Sequence, residues 1–366
     1  MAPQRKKRSL SRKRKLQGRS KAVRATGTAK AAPKNVPAIA PASMPTPPSA
    51  PGWIAYEVAF QLLAPLHIGW RKVGNLMQTR PYVTAKNMWG ALTARLARDR
   101  AEGQGRKANP QDYRRVGEEV TESLSFTYLF PALAPDPLDA LYPVQAGDGP
   151  VYGRDRLSVG LFDYLLLDTY ASTALDAQRY AAEEGSLHEV EMIRPRTRPL
   201  DGTRLGGQYG ADANALGVPV YLVGYVLVRD GGPRGWLDAW KHLQIGGERR
   251  YGWGRVRLTS YVPATSKKLF GLLDLIEPIV DRPILVAGAD GPALAHALAV
   301  QFDGASPLAS VAGTVEPLVG RETRMDEKPG FGALPSQPRI CWTPGATIPQ
   351  GARIAIGQYG IWEAAV

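Results

Sequence analysis

At 366 residues with 44% hydrophobic content, the chain is long enough for two domains or one large one. No run approaches the roughly 20 apolar residues that span a bilayer, and the longest, VPVYLVGYVLV at 218–228, has the length and β-branched composition of a strand. The formal charge of +13 sits in one place: residues 1–52 hold thirteen Lys and Arg and no acid, so 33 basic residues face 33 acidic ones in a neutral body.

Residues 1–34 lack hydrophobic periodicity and read as a disordered basic tail. Residues 35–51, NVPAIAPASMPTPPSAP, read as a semi-extended linker. No apolar stretch follows the basic run as a secretory signal requires, which leaves a nucleic-acid-touching arm or a mitochondrial-type presequence. The single cysteine, Cys341, excludes an internal disulfide and a cysteine-held metal cluster and fits a cytoplasmic setting. His67, His188, His242 and His296 lack metal-ligand spacing, so no cofactor is expected.

The body opens with a half-buried strand, from the alternation of Ile54, Tyr56, Val58 and Phe60. After a basic loop, Met88, Leu92 and Leu96 mark a helix over 86–102. Residues 123–130 and 151–168 read as strands, and TALDAQRYAAEEG at 173–185 as a short helix. A long polar strand-and-loop region leads to the strand at 218–228, and GWLDAWKHLQIGG supplies a short amphipathic helix. The order predicts an α+β fold, an antiparallel sheet with helices on one face. From 263 onward, LFGLLDLIEPIV and GPALAHALAVQF read as helices, followed by strands in RICWTP and ARIAIGQYGIW. That segment is a second domain or a C-terminal α/β extension of the first sheet. VEPLVGRETRMDEKPGFG at 315–332 is charged and turn-rich, an exposed loop or a subunit contact.

Three loops carry candidate chemistry. In IGGERRYGWGRVRL, Gly246, Gly247, Gly252 and Gly254 permit positive φ and close backbone approach, and Arg249, Arg250 and Arg255 offer bidentate phosphate donors. Tyr251 and Trp253 suit base stacking. The bland alternative is a glycine-rich turn with solvated arginines. In the loop from Pro65 to Leu96, Lys72, Arg80 and Lys86 flank a helix start that attracts phosphate through its amides, with Asn87 as the candidate cap. In IRPRTRPLDGTRLGGQYG, Arg194, Arg196, Arg198 and Arg204 crowd a long irregular loop, functional or merely flexible.

LHIG at 66–69, YVTAKNMWGAL at 82–92 and GGERRYGWGR at 246–255 together resemble the RAMP superfamily, whose members are subunits of CRISPR ribonucleoprotein complexes. The resemblance covers roughly residues 53–262, and its most specific part is the glycine-rich loop. It implies a ferredoxin-like, RRM-related domain over 53–262, preceded by the tail and linker at 1–52 and followed by the segment 263–366. It further implies binding of guide RNA (crRNA), and of its target, in a type III-like effector with other effector subunits and no membrane. Lys72, Lys86, Arg249, Arg250 and Arg255 would touch the RNA backbone, Gly246, Gly247, Gly252 and Gly254 would allow close approach, and the loop at 183–215 would reach over the guide.

Some relatives of this kind cut repeat RNA with a histidine and others cut target RNA with a loop aspartate. Here His67, Asp99, Asp112 and Asp201 are the candidates. Packing or hydrogen bonding at a strand end is the competing role for His67, and spacing selects none of the aspartates. No catalytic residue is assigned. The further alternatives are a repeat-processing endoribonuclease and an RNA-binding protein outside CRISPR.

Overall fold

The computed structural model describes residues 52–147, 149–203, 205, 215–277, 279, 281–289, 291–299, 311–324 and 330–365. The chain separates into Met1–Pro47 and Pro48–Val366, and the described residues all belong to the second unit. The basic tail and Arg204 lie outside them.

The first half runs through β1 (Trp53–Leu62), the hairpin β2 (Gly69–Val73) and β3 (Leu76–Thr79), and helices α1 (Ala85–Glu102) and α2 (Pro110–Ser123). Short strands β4 (Leu124–Phe126) and β5 (Phe130–Ala132) follow, then β6 (Pro143–Ala146), β7 (Gly149–Tyr152) and β8 (Leu157–Ser158). Helix α3 (Val159–Leu166) leads to β9 (Leu167–Ser172), the small hairpin β10 (Leu175–Asp176) and β11 (Ala181–Ala182), and β12 (His188–Ile193). The half closes with β13 (Tyr221–Arg229), a short helix at Trp236–Trp240, β14 (His242–Gln244) and β15 (Arg255–Pro263).

The main sheet has the order β14-β15-β1-β13-β4, all antiparallel, with β5 also beside β13. Helix α1 lies between β1 and β4 in the chain, and the Trp236–Trp240 helix between β13 and β15. Without the edge strand β14, this is the βαββαβ connectivity of a ferredoxin-like fold. The mixed α+β architecture expected from the sequence is therefore the observed one.

Periodicity explains α1. Met88, Leu92 and Leu96 fall on one face at four-residue steps and are buried in the core with Phe60 and Trp240, whose rings meet edge-on at 5.1 Å. Burying each such side chain contributes about 1.5–3 kcal/mol. Helix α2 had no counterpart in the sequence reading. It starts at a capping box in which the Asn109 side chain accepts from Asp112 N and the Asp112 side chain accepts from Asn109 N. It rests on α1 because Gly117 leaves room for Trp89, whose indole N–H reaches Gly117 O at 3.1 Å and Thr121 Oγ1 at 3.0 Å.

Two further readings are corrected. Residues 159–166, expected within a strand, form α3, with Ser158 Oγ accepting from Leu161 N. Residues 173–185, expected as a helix, form the β10–β11 hairpin. Asp176 Oδ1 accepts from Gln178 N and Arg179 N, and these local bonds compete with a helical backbone in an otherwise helix-favouring run.

The C-terminal part is a sheet. Strands β16 (Lys268–Leu269), β17 (Leu273–Leu275), β18 (Ile284–Ala287), β19 (Ala297–Leu298) and β20 (Val315–Leu318) are followed by the hairpin β21 (Arg321–Arg324) and β22 (Gly330–Pro335). Then come β23 (Arg339–Trp342), β24 (Arg353–Ile356) and β25 (Trp362–Ala364). Eight of them pair in the order β16-β17-β18-β24-β25-β19-β23-β20. The helices expected in LFGLLDLIEPIV and GPALAHALAVQF, and so the helical share of the α/β extension, are absent among the described residues; β16, β17 and β19 occupy those runs. A continuous apolar run is compatible with a buried helix or a buried strand, and here long-range pairing decides. This sheet meets the ferredoxin-like sheet where Phe270 packs edge-on against Phe130 and Tyr225. No helix among the described residues is long and apolar enough to cross a membrane.

Candidate nucleic-acid interface

The glycine-rich loop joins β14 to β15 and is clamped at its base. Gly247 N donates to His67 O at 2.8 Å, Gly254 N to Pro65 O at 2.7 Å, and Ile245 N to Gly254 O at 2.8 Å. The Gln244 side-chain amide bridges the crossing, donating to Arg249 O and Trp253 O at 2.8 and 2.9 Å. Gly246 (φ 80°) and Gly254 (φ 73°) sit so close to the backbone that a Cβ would collide with His67 O and Ile245 O respectively. The absence of a side chain thus lets Gly246 press against His67 and Ile68, and lets Gly254 close the base of the loop against Ile245. The two loops that sequence brought together on composition are joined physically by backbone hydrogen bonds.

Arg249, Arg250 and Tyr251 form a single 3₁₀ turn ended by Gly252 in the left-handed region (φ 83°). Both arginines and Arg255 are exposed and form no salt bridge among the described residues, and Tyr251 is 78% exposed. Trp253 is half-buried with its ring edge-on to Tyr170 at 5.9 Å.

In the loop from Pro65 to Leu96, Lys72 is exposed on β2. Arg80 is only 8% exposed, forms an ion pair with Glu316 at 2.5 Å and donates to the Tyr82 hydroxyl at 3.2 Å, so it faces inward. Lys86 lies in the first turn of α1 with its ammonium 4.6 Å from the Tyr359 ring centre. The cap position is Thr84, not Asn87; the Thr84 hydroxyl donates to Asn87 Oδ1 at 2.7 Å, and no acid occupies the first turn. His67 is buried, with Nδ1 2.8 Å from Glu191 O, which matches the structural role weighed for it.

The third loop is stapled down. Asp168 pairs with both Arg194 and Arg198, Arg198 donates to Tyr164 O at 2.6 Å, and Arg196 donates to Gly217 O at 2.7 Å. These three arginines lie apart from the glycine-rich turn in role: they hold the crossing from β12 to β13. The candidate aspartates are likewise scattered. Asp99 pairs with Arg95 at 2.7 Å, and Asp201 Oδ1 accepts from Gly202 N at 3.1 Å. Asp112 is held well below the usual carboxylate range by hydrogen bonds from Arg106 and the Asn109 amide.

Sequence reasoning missed a buried polar chain between the two sheets. Glu316 Oε1 contacts Arg80 and His296 Nε2, each at 2.5 Å, and Glu316 Oε2 accepts from the Trp70 indole N–H at 2.8 Å. His296 Nδ1 lies 2.7 Å from the Tyr128 hydroxyl. A neutral imidazole protonated on Nε2 satisfies both neighbours, donating to Glu316 and accepting from Tyr128. Burial pulls His296 below its ordinary pKa, more strongly than Glu316 raises it. Burial alone would raise Glu316, yet the hydrogen bonds from His296 and Arg80 bring it down to about 2. No local signal marks this chain, because its members come from five separate segments.

Beside it lies a cavity of about 810 Å³ lined by Trp70, Arg80, Lys86, Arg321, Arg339 and Tyr359, among others. A groove of about 690 Å³ shares Lys86, Arg321 and Tyr359 with it and runs past Trp89 to Gly246 and Arg249.

No protein-family model and no curated protein matches the chain. It is similar to solved structures of Type III-B Cmr-beta. A cryo-EM structure bound to cognate target RNA and AMPPnP aligns at 12% identity and a TM-score of 0.42, over 80% of this chain and 85% of that one. One bound to cognate target RNA aligns at 11% identity and 0.44, over 80% and 86%. An apo-state structure aligns at 10% identity and 0.31, over 57% and 97%.

Proposed function

We propose that this chain is a crRNA-binding subunit of a type III-like CRISPR effector, gripping the guide by its backbone. The observation that carries the reading is the braced 3₁₀ turn. It presents Arg249 and Arg250, with Arg255 at the start of β15, exposed and without a salt bridge among the described residues, on a body that is neutral overall. Guanidinium groups on a fixed turn recognise phosphate with little ordering cost. Contacts of this kind hold RNA without reading its sequence and weaken with salt. Lys72 on the exposed strand β2 extends the basic face, and Lys86 places a cation at the start of α1. The short motifs at 66–69, 82–92 and 246–255 point to the RAMP superfamily, and the ferredoxin-like sheet agrees with that origin.

The role is binding rather than cleavage. His67, the histidine beside the glycine-rich turn, is buried and turned to Glu191 O. Purifying the native protein and sequencing its bound RNA tests the reading. Uniform short RNAs with a shared repeat-derived 5′ end, accompanied by other effector subunits, are expected; heterogeneous cellular RNA contradicts it.

A further inference from the structure

Resting on the RNA-binding reading, we propose that the seam between the two sheets is a second RNA site, in which the C-terminal sheet contributes Arg321 and Arg339. The cavity there brings Arg80, Lys86, Arg321 and Arg339 together, and no carboxylate is among its described lining residues. Arg80 is neutralised by Glu316, but Arg321 and Arg339 form no salt bridge among the described residues. A water-accessible space whose described lining carries the unpaired Arg321 and Arg339 and no carboxylate favours a polyanion over a peptide or an apolar ligand.

Its walls suit a nucleotide. Trp70 and Tyr359 supply aromatic surface, and both rings are fixed in place. Trp70 is tied to Glu316 through its indole N–H and overlaid by Arg71 at 4.2 Å, while Tyr359 sits edge-on to Trp89 at 5.0 Å. Pre-oriented rings beside cations are how single-stranded nucleic acid is held without sequence preference.

The position of Arg321 is also built. Gly320 N donates to Ser336 Oγ at 2.6 Å and Ser336 N donates to Gly320 O at 2.8 Å. A Cβ on Gly320 would strike the Lys86 ammonium. The link from β20 to β21 therefore lies against the end of the Lys86 side chain. The shared lining of the cavity and the groove connects this seam with Gly246 and Arg249, and Glu118 and Glu122 stand on the α2 side of that groove.

The test compares full-length wild type, R321A/R339A, R321K/R339K and R249A/R250A/R255A for binding of a fluorescein-labelled single-stranded RNA across a salt series. Losing two phosphate contacts lowers the slope of log K against log salt by roughly 1.4 and weakens binding about 10-fold at 0.15 M salt. The lysine pair should restore the slope. RNA carrying 5-iodouridine should cross-link to the peptide containing Trp70. Wild-type affinity and slope in R321A/R339A overturn the seam site. Loss of binding in the turn variant alone leaves the functional reading standing without the seam, and no loss in either variant sinks both. Uridine monophosphate competes only weakly if the site belongs to RNA. Tight monophosphate binding that R321A/R339A abolishes while RNA affinity stays unchanged would make it a free-nucleotide pocket and overturn the proposal.

Discussion

The carbonyl oxygen of His67 accepts a hydrogen bond from Gly247 at 2.8 Å and occupies the space a Cβ on Gly246 would need. With the bond from Gly254 to Pro65 O, that contact fastens the glycine-rich loop to the segment Pro65–Ile68.

The glycines of this turn should therefore differ in cost. At Gly252 only the left-handed backbone matters, since nothing lies within 4 Å of a Cβ, and G252A should lose about 1–2 kcal/mol. G246A and G254A add a backbone collision and should lose about 3 kcal/mol or more. Chemical denaturation of the three variants checks the ranking. Equal losses at all three would contradict the clamped geometry.

Acid should weaken the seam. Both relevant groups have depressed folded pKa values, so the unfolded chain binds more protons and stability falls as pH falls. The His296 contribution is complete above its ordinary value of 6.5 and declines below it. The Glu316 contribution is complete above about 4.5 and is lost towards about 2. The other titratable groups facing this pair are Arg80, which steadies the carboxylate, and the un-ionised Tyr82 and Tyr128 hydroxyls. E316Q should cost about 3 kcal/mol near neutrality by leaving Arg80 buried without a counter-ion. It should also flatten the stability profile between pH 4.5 and 2. An unchanged acid limb in E316Q would rule this out.

Arginines that staple the fold should separate in the RNA-binding assay from the exposed arginines of the turn. R194A/R198A leaves Asp168 unpaired, and a loss of about 1–2 kcal/mol is expected from the broken charged hydrogen bonds. The salt slope of RNA binding should not move. If it falls as it does in the turn variant, the loop at 194–219 belongs to the interface after all.

Much of this architecture was legible where one segment carries its own signal. The α1 periodicity, the alternation in β1 and the apolar run of β13 each appear as read. Asn109, Pro110 and Asp112 spell a helix start, yet α2 went unread because its apolar face is only Val116 and Val120 beside Gly117. The C-terminal sheet was illegible for a different reason. Leu273 and Leu275 become a strand only by pairing with Ala287 and Leu285, partners that no local window contains. The arginine-rich turn was visible as composition, whereas its lack of salt bridges among the described residues and the inward turn of Arg80 towards Glu316 needed three dimensions.

The most direct measurement is the salt dependence of single-stranded RNA binding by full-length wild type and R249A/R250A/R255A. Three lost phosphate contacts predict a slope shallower by roughly 2.1 and an affinity about 50-fold weaker at 0.15 M salt, with folding stability unchanged. A variant that binds with wild-type affinity and slope would contradict the account.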